Sequence, residues 1–153
     1  MPQFKEIAGR QRAVWVQPGG TILSEGDLAP VDVVIVETGY AIIKEWYLGG
    51  DDLVRFDITA PIIDLPTGVQ VSKVVAAGWP SSFSAEDDAV KFGWAVDAVD
   101  PRIDPGPNVL MLVFHAAALG YGGNLARIGY HVTMWLAGEG LGDEAILRQL
   151  EAG

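Results

Sequence analysis

Residues 108–137, NVLMLVFHAAALGYGGNLARIGYHVTMWLA, constrain this chain more than any other stretch. They are its most apolar part, and Gly120-Tyr121-Gly122-Gly123-Asn124 interrupts them near the middle. Two β-rich runs joined by a glycine-rich loop read as a hairpin with a longer connection. Such a hairpin belongs at the centre of an all-β fold.

The remaining segments point the same way. Arg12–Gln17 alternates and ends at Pro18-Gly19-Gly20, which reads as a turn. Asp32–Glu37 (DVVIVE) is β-branched and apolar on both faces, as a central buried strand would be. Thr38-Gly39 reads as a turn or a bulge, Ala41–Leu48 as further strand, and Gly49-Gly50-Asp51-Asp52 as a second hairpin. In Leu53–Thr59, Val54, Phe56 and Ile58 face one way and Arg55 and Asp57 the other, the pattern of a half-exposed strand. Prolines make Pro61–Gly68 a crossing loop. Val69–Ala77 follows as a strand with Val69, Val71 and Val75 on one face, and Val90–Val99 as another with Phe92, Trp94, Val96 and Ala98 together. Asp100–Pro107 reads as a rigid proline-bearing loop. About eight short strands with regular turn signals imply an antiparallel β-sandwich, jelly-roll or Ig-like, with a closed β-barrel as the alternative. Residues 1–11 read as an N-terminal arm or first edge segment. Residues 143–151 form the one persuasive helix, capped by Asp143.

Length and charge narrow the function classes. The 153 residues fit one domain spanning 1–153, and a chain of that size buries a sufficient core without staples. There is no cysteine, so disulfides and thiolate metal sites are excluded. Twenty acidic against ten basic residues give a net charge of −10, which argues against general binding to nucleic acid or anionic membranes. The first residues lack the apolar core of a signal peptide, and no run reaches the length of a membrane-spanning helix. Synthesis in the cytoplasm is the default expectation, with incorporation into a virion or other particle as one destination.

Catalytic chemistry finds little support. No Gly-x-Ser-x-Gly elbow exists, and the glycine-rich loop at 120–124 departs from the phosphate-binding and dinucleotide patterns. Centring the hairpin on Gly122 or Gly123 sets His115 opposite or diagonal to His131, on the same side of adjacent strands. Two such imidazoles suggest a metal site, with Asp97 as a third ligand, or a pH switch, and packing is the simpler reading. Asp51-Asp52, Glu86-Asp87-Asp88 and the trio Asp97, Asp100 and Asp104 are candidate calcium loops, though none follows the EF-hand pattern and solvated loops explain them. The expectation is no catalytic residue, no metal and no cofactor.

Partner binding is the better prospect. Arg127, Gly129, His131, Thr133 and Trp135 share one face of their strand, while Ile128, Tyr130, Val132, Met134 and Leu136 form the core face. His115, His131, Trp135 and Arg127 are therefore the candidate ligand- or partner-binding residues. Val109, Met111, Val113 and Ala117 make the His115 face apolar too, which implies a covering layer or a partner. The helix carries an apolar stripe of Ile146, Leu147 and Leu150 and is too short to stand alone, so it must dock on its own domain or a neighbour. A partner-docking role is one expectation for that stripe.

Three functions are consistent with these features. The first is a structural module that assembles with copies of itself or with other subunits, a class that includes capsid decoration, cement and tail proteins. The second is a carbohydrate- or small-molecule-binding sandwich with Trp15, Trp79 or Trp135 as a stacking platform. The third is a metal-dependent enzyme using His115 and His131.

Overall fold

The structure, a computed structural model, describes residues 2–24, 27–44, 53–84, 93–119, 125–138, 141 and 143–152. Seven strands and one helix follow in order: β1 (Gln3–Ser24), β2 (Asp27–Lys44), β3 (Val54–Asp64), β4 (Gln70–Ser84), β5 (Gly93–Asp104), β6 (Val109–Leu119), β7 (Leu125–Ala137) and α1 (Glu144–Ala152). They form two antiparallel sheets, one ordered β1-β2-β7-β4 and the other β3-β6-β5. The sheets face each other in a sandwich-like arrangement. Each has two open edges, so the closed barrel does not form.

The hairpin expected over 108–137 is not formed either. β6 lies between β3 and β5, and β7 lies between β2 and β4. The connection between them leaves one sheet for the other, and its residues 120–124 lie outside the described residues. The physical reason is the apolarity of both strands. Each takes the middle of a different sheet, where both rows of its backbone groups are paired.

Several expected breaks are bulges within longer strands, which leaves seven strands among the described residues rather than about eight. β1 continues through Pro18-Gly19-Gly20 with a register shift between Val16 and Thr21. Thr38-Gly39 passes through β2 unbroken against β7; the bulge sits opposite, where Gly9 and Arg10 of β1 face Gly39. Gly9 adopts φ 60°, a torsion that favours glycine. Residues 3–11 belong to this edge strand and not to a free arm. β3 runs on to Asp64 and β5 to Asp104, so the loops expected at Pro61 and Asp100 begin later. Pro61, Pro80 and Pro101 all sit in edge strands, where a missing N–H need not break a ladder.

Bulges also change which side chains face inward. Ser72 is the extra residue in β4, so Val74 and Ala76 pack against the core while Val75 is 48% exposed on the other side. Asp97 is the extra residue in β5, and Val99, not Ala98, continues the inward row of Trp94 and Val96. A single inserted residue reverses the face of all that follow.

The core lies between the sheets. Ile35, Ile43, Ile128 and Met134 from one sheet meet Ile58, Leu110, Leu112 and Phe114 from the other. Phe114 and Tyr130, from the two central strands, lie with ring centroids 6.3 Å apart. Gly78 makes room for this contact, because a Cβ there would stand 2.8 Å from Val99 and 3.0 Å from Phe114.

One charged network crosses this core. Glu37 is fully buried on the inward face of β2. It accepts a hydrogen bond from Arg12 Nε at 2.6 Å and another from the Tyr130 hydroxyl at 2.6 Å, and Arg10 Nε stands 3.5 Å away. Arg12 also donates to the Leu150 carbonyl of α1 at 2.7 Å and to the Ile62 carbonyl of β3 at 3.0 Å. It thereby ties both sheets to the helix and satisfies one of the carbonyls a helix end leaves unpaired. Asp143 accepts from Ala145 N at 3.0 Å, the N-cap geometry. Leu150 is fully buried, and Ile146 and Leu147 pack on the same core. The expected partner-docking stripe is spent within the chain. Among the described residues, no helix is long and apolar enough to cross a membrane.

Candidate functional site

The outward face of the four-stranded sheet follows from strand parity and register. Val34 and Val36 on β2 and Thr133 and Trp135 on β7 point away from the core, opposite neighbours that are buried. Across the four strands the register aligns these positions in rows. Trp15, Val34, Trp135 and Lys73 form one row, and Ala13, Val36, Thr133 and Val75 the next. Then come Gln11, Thr38, His131 and Ala77, followed by Ala8, Tyr40, Gly129 and Trp79. Glu6, Ile42, Arg127 and Ser82 close the set.

This face is apolar and nearly free of carboxylates. Trp15 (51%), Tyr40 (38%), Val75 (48%) and Trp79 (44%) are four of the seven large hydrophobic side chains exposed among the described residues. In a chain with twenty acidic residues, the five rows carry one, Glu6, at a corner. Lys73 occupies the diagonally opposite corner and lies over the Trp135 ring at 5.8 Å, a cation–π contact.

Two glycines level the surface. Trp79 lies across Gly129, directly opposite it in the neighbouring strand, so closely that a Cβ at Gly129 would collide with the indole. The Tyr40 ring lies against Gly9, where a Cβ would stand 3.1 Å from it. Aromatic rings laid over cross-strand glycines replace the missing side chains and give the row a flat aromatic floor.

His115 lies elsewhere. It points outward from the three-stranded sheet, whereas Arg127, His131 and Trp135 share the face just described. The sandwich separates the two imidazoles, so the metal site and the pH switch that required both are not formed. The reason is again that β6 and β7 enter different sheets.

The surroundings of His115 are polar. Its Nδ1 stands 2.7 Å from Asp57 Oδ1 of β3 and its Nε2 stands 3.7 Å from Asp100 Oδ2 of β5. One residue pair further along, Arg55 reaches Asp97 at 2.6 Å across the central strand. These side chains span β6 and account for the burial of Ala117 and Val113 beneath them. The apolar His115 face is therefore covered largely by the chain's own polar side chains. A hollow of about 330 Å³ opens beside it, lined by Met111, Val113, Thr59 and Arg102.

The acidic trio is divided among separate partners. Asp97 pairs with Arg55, Asp100 with Arg102 at 3.4 Å, and Asp104 accepts from Gly106 N at 3.2 Å. Among the described residues, no three His, Asp or Glu side chains gather at metal-ligand spacing. Asp51-Asp52 and Glu86-Asp87-Asp88 lie outside the described residues.

Sequence reasoning singled out Arg127, His131 and Trp135 but missed Tyr40, Val75 and Lys73 as members of their surface. The Gly–aromatic alternation across strands was the available signal, and it becomes visible only once β2 and β4 are known to flank β7. Comparison of the chain with family models, with curated proteins and with solved structures found no match.

Proposed function

We propose that this protein is a non-enzymatic assembly module that docks through the outward face of its four-stranded sheet. The observation that carries this reading is the combination of exposed Trp15, Tyr40, Val75 and Trp79 with a single carboxylate among twenty positions. Exposed apolar side chains gathered on one face, unlike single scattered ones, are the mark of an interaction surface. Interface cores favour aromatic side chains and shed charged ones, which is the composition of this face.

We read the sandwich as a jelly roll, and that form would fit the same proposal. Strand pairing is nested, β2 with β7 and β3 with β6, while β4 and β5 meet across the sandwich. That is the pattern of one long hairpin rolled over a core. Jelly rolls recur in viral capsid and lectin domains, so a particle component such as a capsid decoration protein is an analogy at the level of fold class.

Sedimentation equilibrium tests the proposal. The wild type is expected above the mass of one chain, and the double variant Val36→Glu, Val75→Glu at that mass with an unchanged far-ultraviolet spectrum. A wild type that stays at the mass of one chain at every concentration defeats self-assembly as the function.

A second reading rests on Trp79, whose ring lies flat on the sheet as a sugar-stacking platform does. It requires glycan binding that Trp79→Ala abolishes.

A further inference from the structure

We infer that the occupant of this face is a second copy of the same chain, packed sheet to sheet about a two-fold axis that runs along the seam between β2 and β7. The inference rests on the assembly reading above and specifies its partner and geometry.

Area is the first support. Four strands and nine or ten residues of each make a face of about 19 Å by about 30 Å, so two copies would cover roughly 1,200 Å² together, the threshold of a specific interface. A smaller partner strand or a single helix would leave much of the aromatic floor in water.

Complementarity is the second. A two-fold axis along the seam sets β1 against the partner's β4 and β2 against its β7. Lys73 then meets the partner's Trp15, as it already meets Trp135 within its own sheet. The partner's Trp79 meets Ala8 and the partner's Gly129 meets Tyr40, while Ala13 meets the partner's Val75. Large groups fall on small or flat ones in these rows.

Charge is the third. A chain of net charge −10 repels its copy, and contact is tolerable only through a region from which carboxylates are excluded. This face carries Lys73 and Arg127 against Glu6 alone, and in this geometry Glu6 meets the partner's Ser82, not a second acid.

Cysteine cross-linking tests the geometry, because the natural chain has no cysteine to interfere. Gln11 and Ala77 are exposed and lie in the central row, at opposite edges of the sheet. In one chain they stand about 14 Å apart, and across the proposed interface they face each other. Full-length Gln11→Cys and Ala77→Cys proteins are mixed and treated with a short bismaleimide. A covalent dimer is expected from the mixture and not from either variant alone. Thr133→Glu should weaken association about tenfold or more. A sedimenting dimer that gives no mixed cross-link, or one that cross-links through a single variant, overturns the seam geometry and leaves the assembly reading standing. A strict monomer overturns both.

Discussion

Arg12 and Glu37 form an ion pair in which the carboxylate is wholly buried and the guanidinium side chain is 3% exposed. The pair closes the sandwich, because the same guanidinium holds Ile62 of the opposite sheet and Leu150 of the helix. Removing Arg12 leaves the buried carboxylate, among the described residues, with only the more distant Arg10, at 3.5 Å, as its cation, and leaves the Ile62 and Leu150 carbonyls without their donor. Arg12→Met is expected to cost about 3–5 kcal/mol, while Arg12→Met combined with Glu37→Leu should recover much of that loss. Urea unfolding of the three proteins decides it, and an unchanged midpoint for the single variant would contradict the structure.

Alkaline pH should act through Tyr130. Burial first, and its hydrogen bond and charge interaction with Glu37 second, raise its pKa well above the usual tyrosine value of about 10. The folded state therefore keeps a proton that the unfolded state gives up. The stabilisation is complete below about pH 10 and is lost as pH rises from there through the folded value. At about pH 8, Tyr130→Phe should be less stable by about 1.5–3 kcal/mol, since a donor to a charged group is gone. Above about pH 10 the difference should narrow. A gap that stays constant between neutral and alkaline urea titrations would refute this.

Gly129→Ala tests the aromatic floor. Gly129 has no positive φ, so the glycine is required for space and not for torsion. The added methyl must lift the Trp79 indole off the sheet, which should increase quenching of tryptophan fluorescence by acrylamide. Unchanged quenching would mean that Trp79 does not rest there.

Leu150→Ala should destabilise the isolated chain by about 2–5 kcal/mol, the range for a fully buried leucine. The loss should be the same at every protein concentration. A cost that appears only at concentrations where chains associate would place Leu150 in an interface and contradict its internal packing.

Association should strengthen with salt. Each copy carries −10, the proposed contact is mostly apolar, and salt screens the long-range repulsion within about 10 Å at 0.1 M. Sedimentation at low and moderate ionic strength measures the trend. Dissociation by salt would show that ion pairs hold the copies together.

Strand identity and facing were legible where alternation is uninterrupted. Phe56 and Ile58 are buried while Arg55 and Asp57 are exposed, and β7 divides into the two faces its parity implies. Parity failed where Ser72 and Asp97 add a residue, because no local preference marks a bulge that the partner strand imposes. Pairing was less legible still. A glycine-rich link between two apolar strands serves a hairpin and an inter-sheet crossing equally well. What decided against the hairpin was the need of β6 and β7 for neighbours on both sides, which depends on strands far away in sequence.

That nesting has a consequence for how the protein is made. As a ribosome releases the chain, β1 and β2 can zip together at once, yet the other side of β2 waits for β7, some ninety residues later. The centre of the second sheet likewise waits for β6. Until then the β2 ladder is an open, apolar template in a crowded cell, and neighbouring nascent chains offer the same template. A topology so rich in distant pairings folds on the slow side of the millisecond-to-second scale. The acidic excess that repels finished molecules would also hold these unfinished ones apart.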